Sequence, residues 1–504
     1  MNNIIQSNGK AGAALSRLVF SSLAILLPFG ALANNATVSE VGLSESIEPK
    51  TTTVKFNISW DNSWRNIVNY DAVWVFVKYS KDDGATWGHA TMKTAGTNPA
   101  GFSVEAGTNL DIIVPADKKG AFLRRHSEGK GRVAAQEVRL VWDFETDGLT
   151  VTNAVKVKVH AVEMIYVPQG SFYAGSGGSG SNEFTLTQIT TADASAVGGY
   201  PSGQTAANAS WPNGYSAFYA MKTEIQQGLY LDFLNSLTAA QAANRCSASS
   251  VGDFMGNAAG ITVSTNRNGI QLTNDVSAGH GYACNLDGDE YFNEGEDGKA
   301  VACNWLNWAD LAAFADWSAL RPMTELEYEK LCRGPSTAVS NEYPWGVSYG
   351  LRAARGIVNS GCNNEVATNA SNYANCSATN HSLVQGPMRC GAFASDVTKT
   401  TRMQSGAGYY GNMELGGNVL EQCVSIANAT GQAYAGVNGN GVLTAGGDAD
   451  PAGWPGADAV GAGARGGSWQ DNATLLMTSD RQNALSIDAT RNATYGGRCV
   501  RTAE

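Results

Sequence analysis

Alternation of apolar and polar residues defines the first part of the chain after about residue 51. Three segments alternate as half-buried strands do, and a fourth is continuously apolar, as in a strand that is buried on both faces. These segments are Val54-Lys-Phe-Asn-Ile-Ser-Trp60, residues 138–142 and 155–159, and Ala72-Val-Trp-Val-Phe-Val77. Turn-forming clusters such as Asp82-Asp83-Gly84 separate them, and no helical periodicity intervenes. The pattern predicts an all-β sandwich over residues 51–162.

Five tryptophans fall within this predicted sandwich: Trp60, Trp64, Trp74, Trp87 and Trp142. Large aromatic side chains in strands usually fill a core, and we favour that interpretation. A sugar-binding platform on one face is the alternative. The segment contains no cysteine, so it lacks the inter-sheet disulfide of antibody domains.

From about Glu163 onward the periodicity becomes helical in places. Ile225, Leu229 and Phe233 fall on one helical face, which predicts a helix within residues 221–234. Residues 308–317 predict a second helix. Thr324 is expected to cap a third helix, with Glu327 completing a capping box. The carboxylates of this third helix, Glu325, Glu327 and Glu329, are expected at its surface. Periodicity fades beyond residue 340, which predicts loops and short strands.

The first residues have the features of a secretory signal peptide. Lys10 and Arg17 precede an apolar run from Leu18 to Phe29, and Ala31-Leu-Ala33 offers a small-residue cleavage site. We therefore expect a signal peptide at residues 1–33 and a polar linker at residues 34–50, with an uncleaved anchor as the alternative. The predicted localisation is secreted or cell surface (periplasmic or extracellular in a bacterium). No transmembrane segment is expected after signal removal.

The charge balance excludes one class of partner. The formal net charge is −11 over 504 residues, and removal of Lys10 and Arg17 with the signal would make it −13. A protein that binds the phosphate backbone of nucleic acid needs a basic face, so no nucleic acid partner is expected. The hydrophobic share of 43% is sufficient for packed cores, so the chain is expected to fold.

All nine cysteines lie beyond residue 240. Because export favours oxidation, we expect disulfides, and Cys284–Cys303 is the favoured local pair. An odd count leaves at least one thiol unpaired within a monomer. The five histidines are scattered, which argues against a histidine-based metal site.

Four short blocks in a fixed order carry a family resemblance. They are Arg321-Pro-Met-Thr-Glu-Leu-Glu-Tyr-Glu329, Gly417-Asn-Val-Leu-Glu421, Arg465-Gly-Gly-Ser-Trp469 and Gly496-Gly-Arg-Cys-Val-Arg501. In this order they resemble the formylglycine-generating enzymes, also called sulfatase-modifying factors. The resemblance covers residues 163–504 and implies a C-type-lectin-like domain with little regular structure. The predicted fold class is therefore α+β, with this domain preceded by the all-β sandwich.

The resemblance also implies where the family chemistry would reside. Those enzymes carry two cysteines after the Gly-Gly-Ser-aromatic block, which hold copper and oxidise a substrate cysteine to formylglycine. Asp471 and Leu476 occupy those positions in this chain. Soft thiolates are the ligands that suit Cu(I), so copper is not expected. We therefore expect a non-oxidase member of the fold. The alternative is a metal-dependent oxidase that converts cysteine to formylglycine with relocated ligands.

The resemblance further implies a structural calcium loop. Carried over residue by residue, Glu414 and Glu421 would supply carboxylates, and Gly417 and Val419 would supply main-chain carbonyls. Oxygen ligands suit a hard cation. A metal-free turn is the alternative.

An acidic insertion offers a second candidate calcium loop. Its residues fall at EF-hand-like spacing, although Glu290 stands where a glycine is usual. The expected ligands are Asn285, Asp287, Asp289, the Tyr291 carbonyl, Asn293 and Glu296. A solvated acidic loop is the alternative interpretation.

The favoured hypothesis for function is a ligand-binding or extracellular structural protein. Residues 470–494 follow the Gly-Gly-Ser-Trp block and are rich in adaptable polar side chains. The candidate contact residues are Gln470, Asp471, Asn472, Arg481, Asn483 and Arg491. The expected partner is an extracellular protein or a glycan. Gly-rich, weakly charged surfaces would also suit self-assembly.

Overall fold

A computed structural model of the chain describes residues 36–44, 50–105, 107–274, 281–377, 384–395, 399–486 and 488–503. The predicted signal peptide, residues 1–33, lies outside these ranges. The described part is β-rich, with 28% strand and 12% helix, and its sheets are mostly antiparallel. None of the helices in these ranges has both the length and the apolar character that a membrane crossing requires.

Among the described residues, nine strands form the first part of the protein. They are β1 (Thr37–Leu43), β2 (Thr52–Arg65), β3 (Asp71–Ser80), β4 (Gly88–His89), β5 (Gly96–Thr97), β6 (Leu110–Val114), β7 (Ala121–Arg125), β8 (Gly129–Trp142) and β9 (Lys156–Val167). Strands β1, β2 and β8 form one antiparallel sheet. Its apolar side chains pack against those of β3, β6 and β7 in one core cluster.

Trp60, Trp74 and Trp142 are buried, which confirms the core interpretation for those three tryptophans. The predicted linker at residues 34–50 is wrong in part, because β1 lies within it and pairs with β2 from Thr37 to Leu43. Strand β1 lies at the edge of its sheet and buries only one face, so it can carry many polar side chains. These polar side chains made the segment resemble a linker.

The second part contains short strands and helices joined by long loops. Its strands are β10 (Phe172–Ala174), β11 (Thr187–Ile189), β12 (Phe218–Met221), β13 (Ile270–Leu272), β14 (Tyr282–Cys284), β15 (Arg321–Pro322), β16 (Ile357–Val358), β17 (Val366–Ala367), β18 (Leu420–Val424), β19 (Ala462–Arg465), β20 (Tyr495–Gly496) and β21 (Cys499–Thr502). Its helices are α1 (Gln227–Leu234), α2 (Ala239–Arg245), α3 (Trp308–Trp317), α4 (Glu325–Arg333), α5 (Arg402–Ser405) and α6 (Ala429–Gln432).

One sheet runs through both parts. Its main path is β15-β21-β12-β9-β3-β7-β6-β5, with β4 paired to β3. Strand β9 pairs with β3 on one side and with β12 on the other, so the boundary expected between residues 162 and 163 falls inside a single strand. Phe76 of β3 packs edge-on against Trp317 of α3 at 5.0 Å between ring centroids. The two parts therefore share a core.

The helices confirm most of the periodicity argument. Helix α3 spans the predicted residues, and Thr324 caps α4 in a capping box with Glu327. Helix α1 begins only at Gln227, because residues 218–221 are taken up by β12 between two neighbouring strands.

The expectation that the α4 carboxylates lie at the surface is wrong. Glu325, Glu327 and Glu329 are all buried. Arginines accompany each of them, and the closest contact joins Glu325 to Arg481 at 2.6 Å. Helix α4 therefore carries charged side chains that are buried. The spacing of apolar and polar residues in the sequence does not indicate this arrangement.

The predicted disulfides are absent. All nine cysteines are free thiols, including Cys284 and Cys303, and eight of the nine are buried. Burial raises the pKa of the Cys284 thiol to about 12, and it places the pKa of Cys303 well above the usual value. Both side chains behave as small apolar residues of the core.

Candidate ligand-binding site

The Gly-Gly-Ser-Trp block forms a tight turn that the surrounding backbone fixes in place. Gly466 and Gly467 both have positive φ, and a Cβ on Gly466 would approach the Leu415 carbonyl to 2.7 Å. Buried Trp469 donates from its backbone to the Asn418 carbonyl at 2.9 Å. Its indole donates to the Ala493 carbonyl at 3.1 Å. The indole therefore holds the two ends of residues 470–494 side by side.

Asp471 and Leu476, which stand where the resembled family has its two cysteines, make structural contacts in this chain. The Asp471 carboxylate accepts hydrogen bonds from the Ser468 amide at 2.9 Å and from the Ser468 hydroxyl at 2.7 Å. Leu476 is fully buried in an apolar cluster with Trp345 and Tyr373. Neither position is free to hold a metal ligand without loss of these contacts.

Larger clusters of metal-binding side chains are absent from the described residues. No group of three or more His, Cys, Asp or Glu side chains there is arranged to hold a metal ion. Cys423, the thiol most readily suggested as a relocated ligand, is fully buried, and burial raises its pKa well above the usual range.

Three of the six candidate contact residues belong to the scaffold. Arg481 is 3% exposed, and its guanidinium donates to both oxygens of Glu325 at 2.6 and 3.0 Å. Arg491 donates to both oxygens of Asp310 at 2.8 and 2.9 Å. Asp471 is held by Ser468. These assignments are corrected from ligand contact to framework, because each side chain already has strong internal partners.

The other three candidates reach solvent. Gln470 and Asn472 are exposed, and Asn483 is half-buried at the start of a short 3₁₀ helix. Within residues 470–494 the exposed polar side chains form what we call the loop surface: Gln470, Asn472, Thr474, Gln482, Ser486, Thr490 and Asn492. Asp471, Arg481 and Arg491 fix the backbone of this segment through their internal partners. The backbone therefore holds the polar side chains of the loop surface in place.

Trp305 adds an aromatic group that the sequence analysis missed. Its backbone amide donates to the Asn492 carbonyl at 3.1 Å, which places it beside the loop surface. It is half-buried and has a φ of 59°, an unusual conformation for a bulky residue. Backbone strain of this kind is frequent at binding sites. No sequence pattern reports it, because the left-handed conformation is imposed by the surrounding contacts.

A shallow pocket of about 10 Å³ lies near the end of the segment. Small residues of β19 form its floor, and Ser486, Asp488 and Tyr495 line the rest. Enclosed sites for small ligands usually exceed about 300 Å³. The geometry therefore suits recognition across an open surface better than enclosure of a substrate.

In the calcium loop implied by the family resemblance, the Arg498 guanidinium lies against one of the expected calcium ligands. Both oxygens of buried Glu421 accept hydrogen bonds from the Arg498 guanidinium. Glu414 accepts one from the Gly391 amide at 2.9 Å, and burial raises its pKa to about 7. The backbone of Val419 donates to Glu224 at 3.0 Å, and Gly417 has a φ of 89°. A metal ion fits poorly where Arg498 already occupies the Glu421 carboxylate.

The acidic insertion has a more open arrangement. Asn285, Asp287 and Asp289 each accept a hydrogen bond from a backbone amide two or three residues ahead. The Asp287 and Asp289 side chains are exposed. Asn293 accepts from the Cys284 amide, whereas Tyr291 and Glu296 lie at the surface. Burial and then the nearby carboxylates Asp287 and Asp289 raise the pKa of Asp297 to about 6. The loop concentrates negative charge, and the Lys299 amine is the cation beside it, since it donates to the Asn293 carbonyl at 2.9 Å.

Comparison with protein-family models and with curated proteins finds no match. A solved structure titled "Major Tropism Determinant U1 Variant" is 15% identical, with 80% of this chain and 83% of that chain covered. Its TM-score is 0.23, which is too low to support an argument about the fold or the site.

Proposed function

We propose that this chain is a secreted, non-oxidase member of the sulfatase-modifying factor fold that binds an extracellular protein or glycan through its loop surface. The observation that carries the proposal is the division of residues 470–494 into two sets. Arg481, Arg491 and Asp471 hold the backbone, while the seven exposed polar side chains of the loop surface remain available. A rigid scaffold that presents irregular loops is a common arrangement in binding proteins.

Substitution within the loop surface is expected to weaken ligand binding without loss of folding. The triple variant Gln470→Glu, Asn472→Asp and Asn492→Asp keeps side-chain size and the turn-forming oxygens, but it replaces amide donors with charge. Against an array of immobilised glycans and purified extracellular proteins, the wild type should bind at least one partner. We expect the variant to lose at least about tenfold in affinity, or about 1.4 kcal/mol.

A matched control is available at Asn369, which forms the same type of turn with Ser371 at 2.9 Å in another exposed loop. Asn369→Asp should bind as the wild type does. Equal binding by the triple variant, or no binding by the wild type to any probe, would refute the proposal. Supplied with Cu(I) and a sulfatase-type cysteine peptide, the wild type should show no formylglycine formation, since turnover would favour the oxidase alternative.

We also propose that calcium binds the acidic insertion rather than the loop at Glu414. Calcium at about 1 mM, a typical level for extracellular sites, is expected to raise the melting temperature. At ten times the dissociation constant the gain in unfolding free energy would be about 1.4 kcal/mol. The double variant Asp287→Asn and Asp289→Asn should lose this gain, and Glu414→Gln should retain it. A calcium response that disappears in Glu414→Gln instead would reverse the assignment.

A further inference from the structure

Three ionisable side chains from adjacent strands meet where the two parts of the protein join. Asp71 is the first residue of β3, Glu163 lies in β9, and Lys222 directly follows β12. Strand β9 pairs with both neighbours, and the Lys222 amide donates to the Glu163 carbonyl at 2.9 Å. We call these three residues the Lys222 triad. Asp71 and Lys222 are 1% and 2% exposed, so the triad is shielded from water.

The Lys222 amine lies between the two carboxyl groups. Its Nζ donates to Glu163 Oε2 at 2.9 Å and lies 3.8 Å from Asp71 Oδ2. The second distance joins Nζ to a carboxyl oxygen and is too long for a hydrogen bond, so the amine lies beside the Asp71 carboxyl group without donating to it. The amine therefore has a proton acceptor on one side and a second carboxyl group on the other.

The Asp71 carboxyl group is held by three donors. Oδ1 accepts from the Ser63 hydroxyl and from the Trp64 amide, each at 2.9 Å. Oδ2 accepts from the Trp60 indole at 3.1 Å. Fixed donors of this kind polarise a carboxyl group and stabilise negative charge that develops on its oxygen during attack.

The electrostatics allow the necessary proton transfers. Burial raises the pKa of Asp71 and the pKa of Glu163, so both carboxyl groups take up protons more readily than in water. Burial works to lower the pKa of Lys222, but Glu163 and Asp71 together hold that pKa above its ordinary value. The resting state is therefore the ammonium ion, and reaction must begin with its deprotonation by Glu163.

We propose that Lys222 and Asp71 condense into an intramolecular amide cross-link, with Glu163 as the proton carrier. Glu163 takes one proton from the ammonium, and the free amine attacks Asp71 Cγ to form the C–N bond. Negative charge gathers on Oδ1 beside Ser63 and Trp64. Glu163 then carries the two protons lost by the nitrogen to Oδ2, the Cγ–Oδ2 bond breaks, and Oδ2 leaves as water. An ammonium and a carboxylate thus become an amide and water, with no change in oxidation state.

The cross-link would fasten the sandwich to the second part of the protein. It would join the start of β3 to the end of β12, and it would replace a buried ion pair with a neutral amide. Burial of ions is costly, so removal of both charges favours the product. The closed loop from residue 71 to residue 222 would also restrict the unfolded chain, as a disulfide does.

Peptide mapping of the full-length protein by mass spectrometry tests the proposal. The wild type should be one water lighter than its sequence requires, trypsin should fail to cut after Lys222, and a branched peptide should contain both Asp71 and Lys222. Lys222→Arg keeps the charge but removes the primary amine, and Glu163→Gln keeps the shape but removes the proton carrier. Both variants should yield separate linear peptides.

Lys50→Arg alters a surface lysine that pairs with Glu145 and should leave the cross-link intact. If trypsin cleaves the wild type fully after Lys222 and the Asp71 peptide is unmodified, the cross-link does not form and the triad is only a buried ion pair. A branched peptide in Glu163→Gln would overturn the role of Glu163. Because the wild-type map decides the main question alone, poor folding of Lys222→Arg would not obscure the answer.

Discussion

Replacement of Arg498 with methionine is expected to lower the free energy of unfolding by about 3–5 kcal/mol, the usual cost of leaving a buried charge without its partner. Arg498 is fully buried and donates to both oxygens of Glu421. It also donates to the carbonyls of Met221, Lys222 and Met413. Methionine fills much of the volume but replaces none of these hydrogen bonds.

The cost should depend on pH because two further acids, Glu224 and Glu414, lie near the same guanidinium. Burial raises the pKa of all three glutamates, and Arg498 opposes that rise. Without Arg498 their folded-state pKa values should rise further. An acid with a raised folded-state pKa contributes stability that is present at low pH and lost as the pH rises. The deficit of the variant should therefore be larger at pH 8 than at pH 5.

Urea denaturation at both pH values measures this prediction. Arg139→Met provides a matched control, since Arg139 pairs with Glu137 at the surface and its loss should leave the urea midpoint near that of the wild type. Equal midpoints for Arg498→Met and the wild type would contradict the assignment of Arg498 as the cation of this cluster.

The Arg498 cluster also shows what the sequence could not predict. The motif Gly496-Gly-Arg-Cys-Val-Arg501 resembled a block of a known family, but Glu421, the partner of its Arg498, lies 77 residues away. The same limit applies to Glu325 and Glu329 of α4, which looked like surface charge. Whether a carboxylate is exposed or paired in a core depends on residues that are distant in sequence, and local spacing does not report them.

Strands were more predictable than boundaries. The apolar runs that became β2, β3, β8 and β9 were evident, because alternation reflects which face of a sheet is buried. The division at residue 162 was expected from a change in local pattern. The pairing of β9 with β12 carries the sheet across that point, and this pairing joins residues about 55 positions apart.

The loop surface was predicted in part for the same reason. Gln470 and Asn472 were expected to be exposed, and they are. Arg481 and Arg491 were expected to contact a ligand because they belong to the polar segment that follows the Gly-Gly-Ser-Trp block. Their carboxylate partners, Glu325 and Asp310, lie 156 and 181 residues earlier in the chain.

Replacement of Arg465 with methionine is the second change for which we expect a loss of about 3–5 kcal/mol in unfolding free energy. The Arg465 guanidinium is fully buried and contacts Glu325 at 3.2 Å and Glu329 at 2.9 Å. It also donates to the carbonyls of Thr478 and Asp480 at 2.8 and 3.0 Å. Loss of these bonds would release residues 478–480 from α4, so ligand binding at the loop surface should weaken together with stability.

The sign of the pH dependence follows from Glu329. Burial favours a higher pKa for Glu329, but Arg465 and Arg333 outweigh it and hold the pKa below the ordinary value of 4.5. An acid with a lowered folded-state pKa contributes stability that is present above pH 4.5 and lost as the pH falls. Arg465→Met removes part of that contribution, so its deficit in urea denaturation should be larger at pH 7 than at pH 4.

Arg132→Met is the matched control for this second variant, because Arg132 pairs with Asp61 at the surface at 3.0 Å. It should keep both the wild-type midpoint and the wild-type binding. If Arg465→Met loses stability but retains full affinity for the ligand, the ion pairs of Arg465 do not position the loop surface, and this part of the prediction is wrong. Since Arg465 holds the two carbonyls that precede Arg481, we expect both properties to fall together.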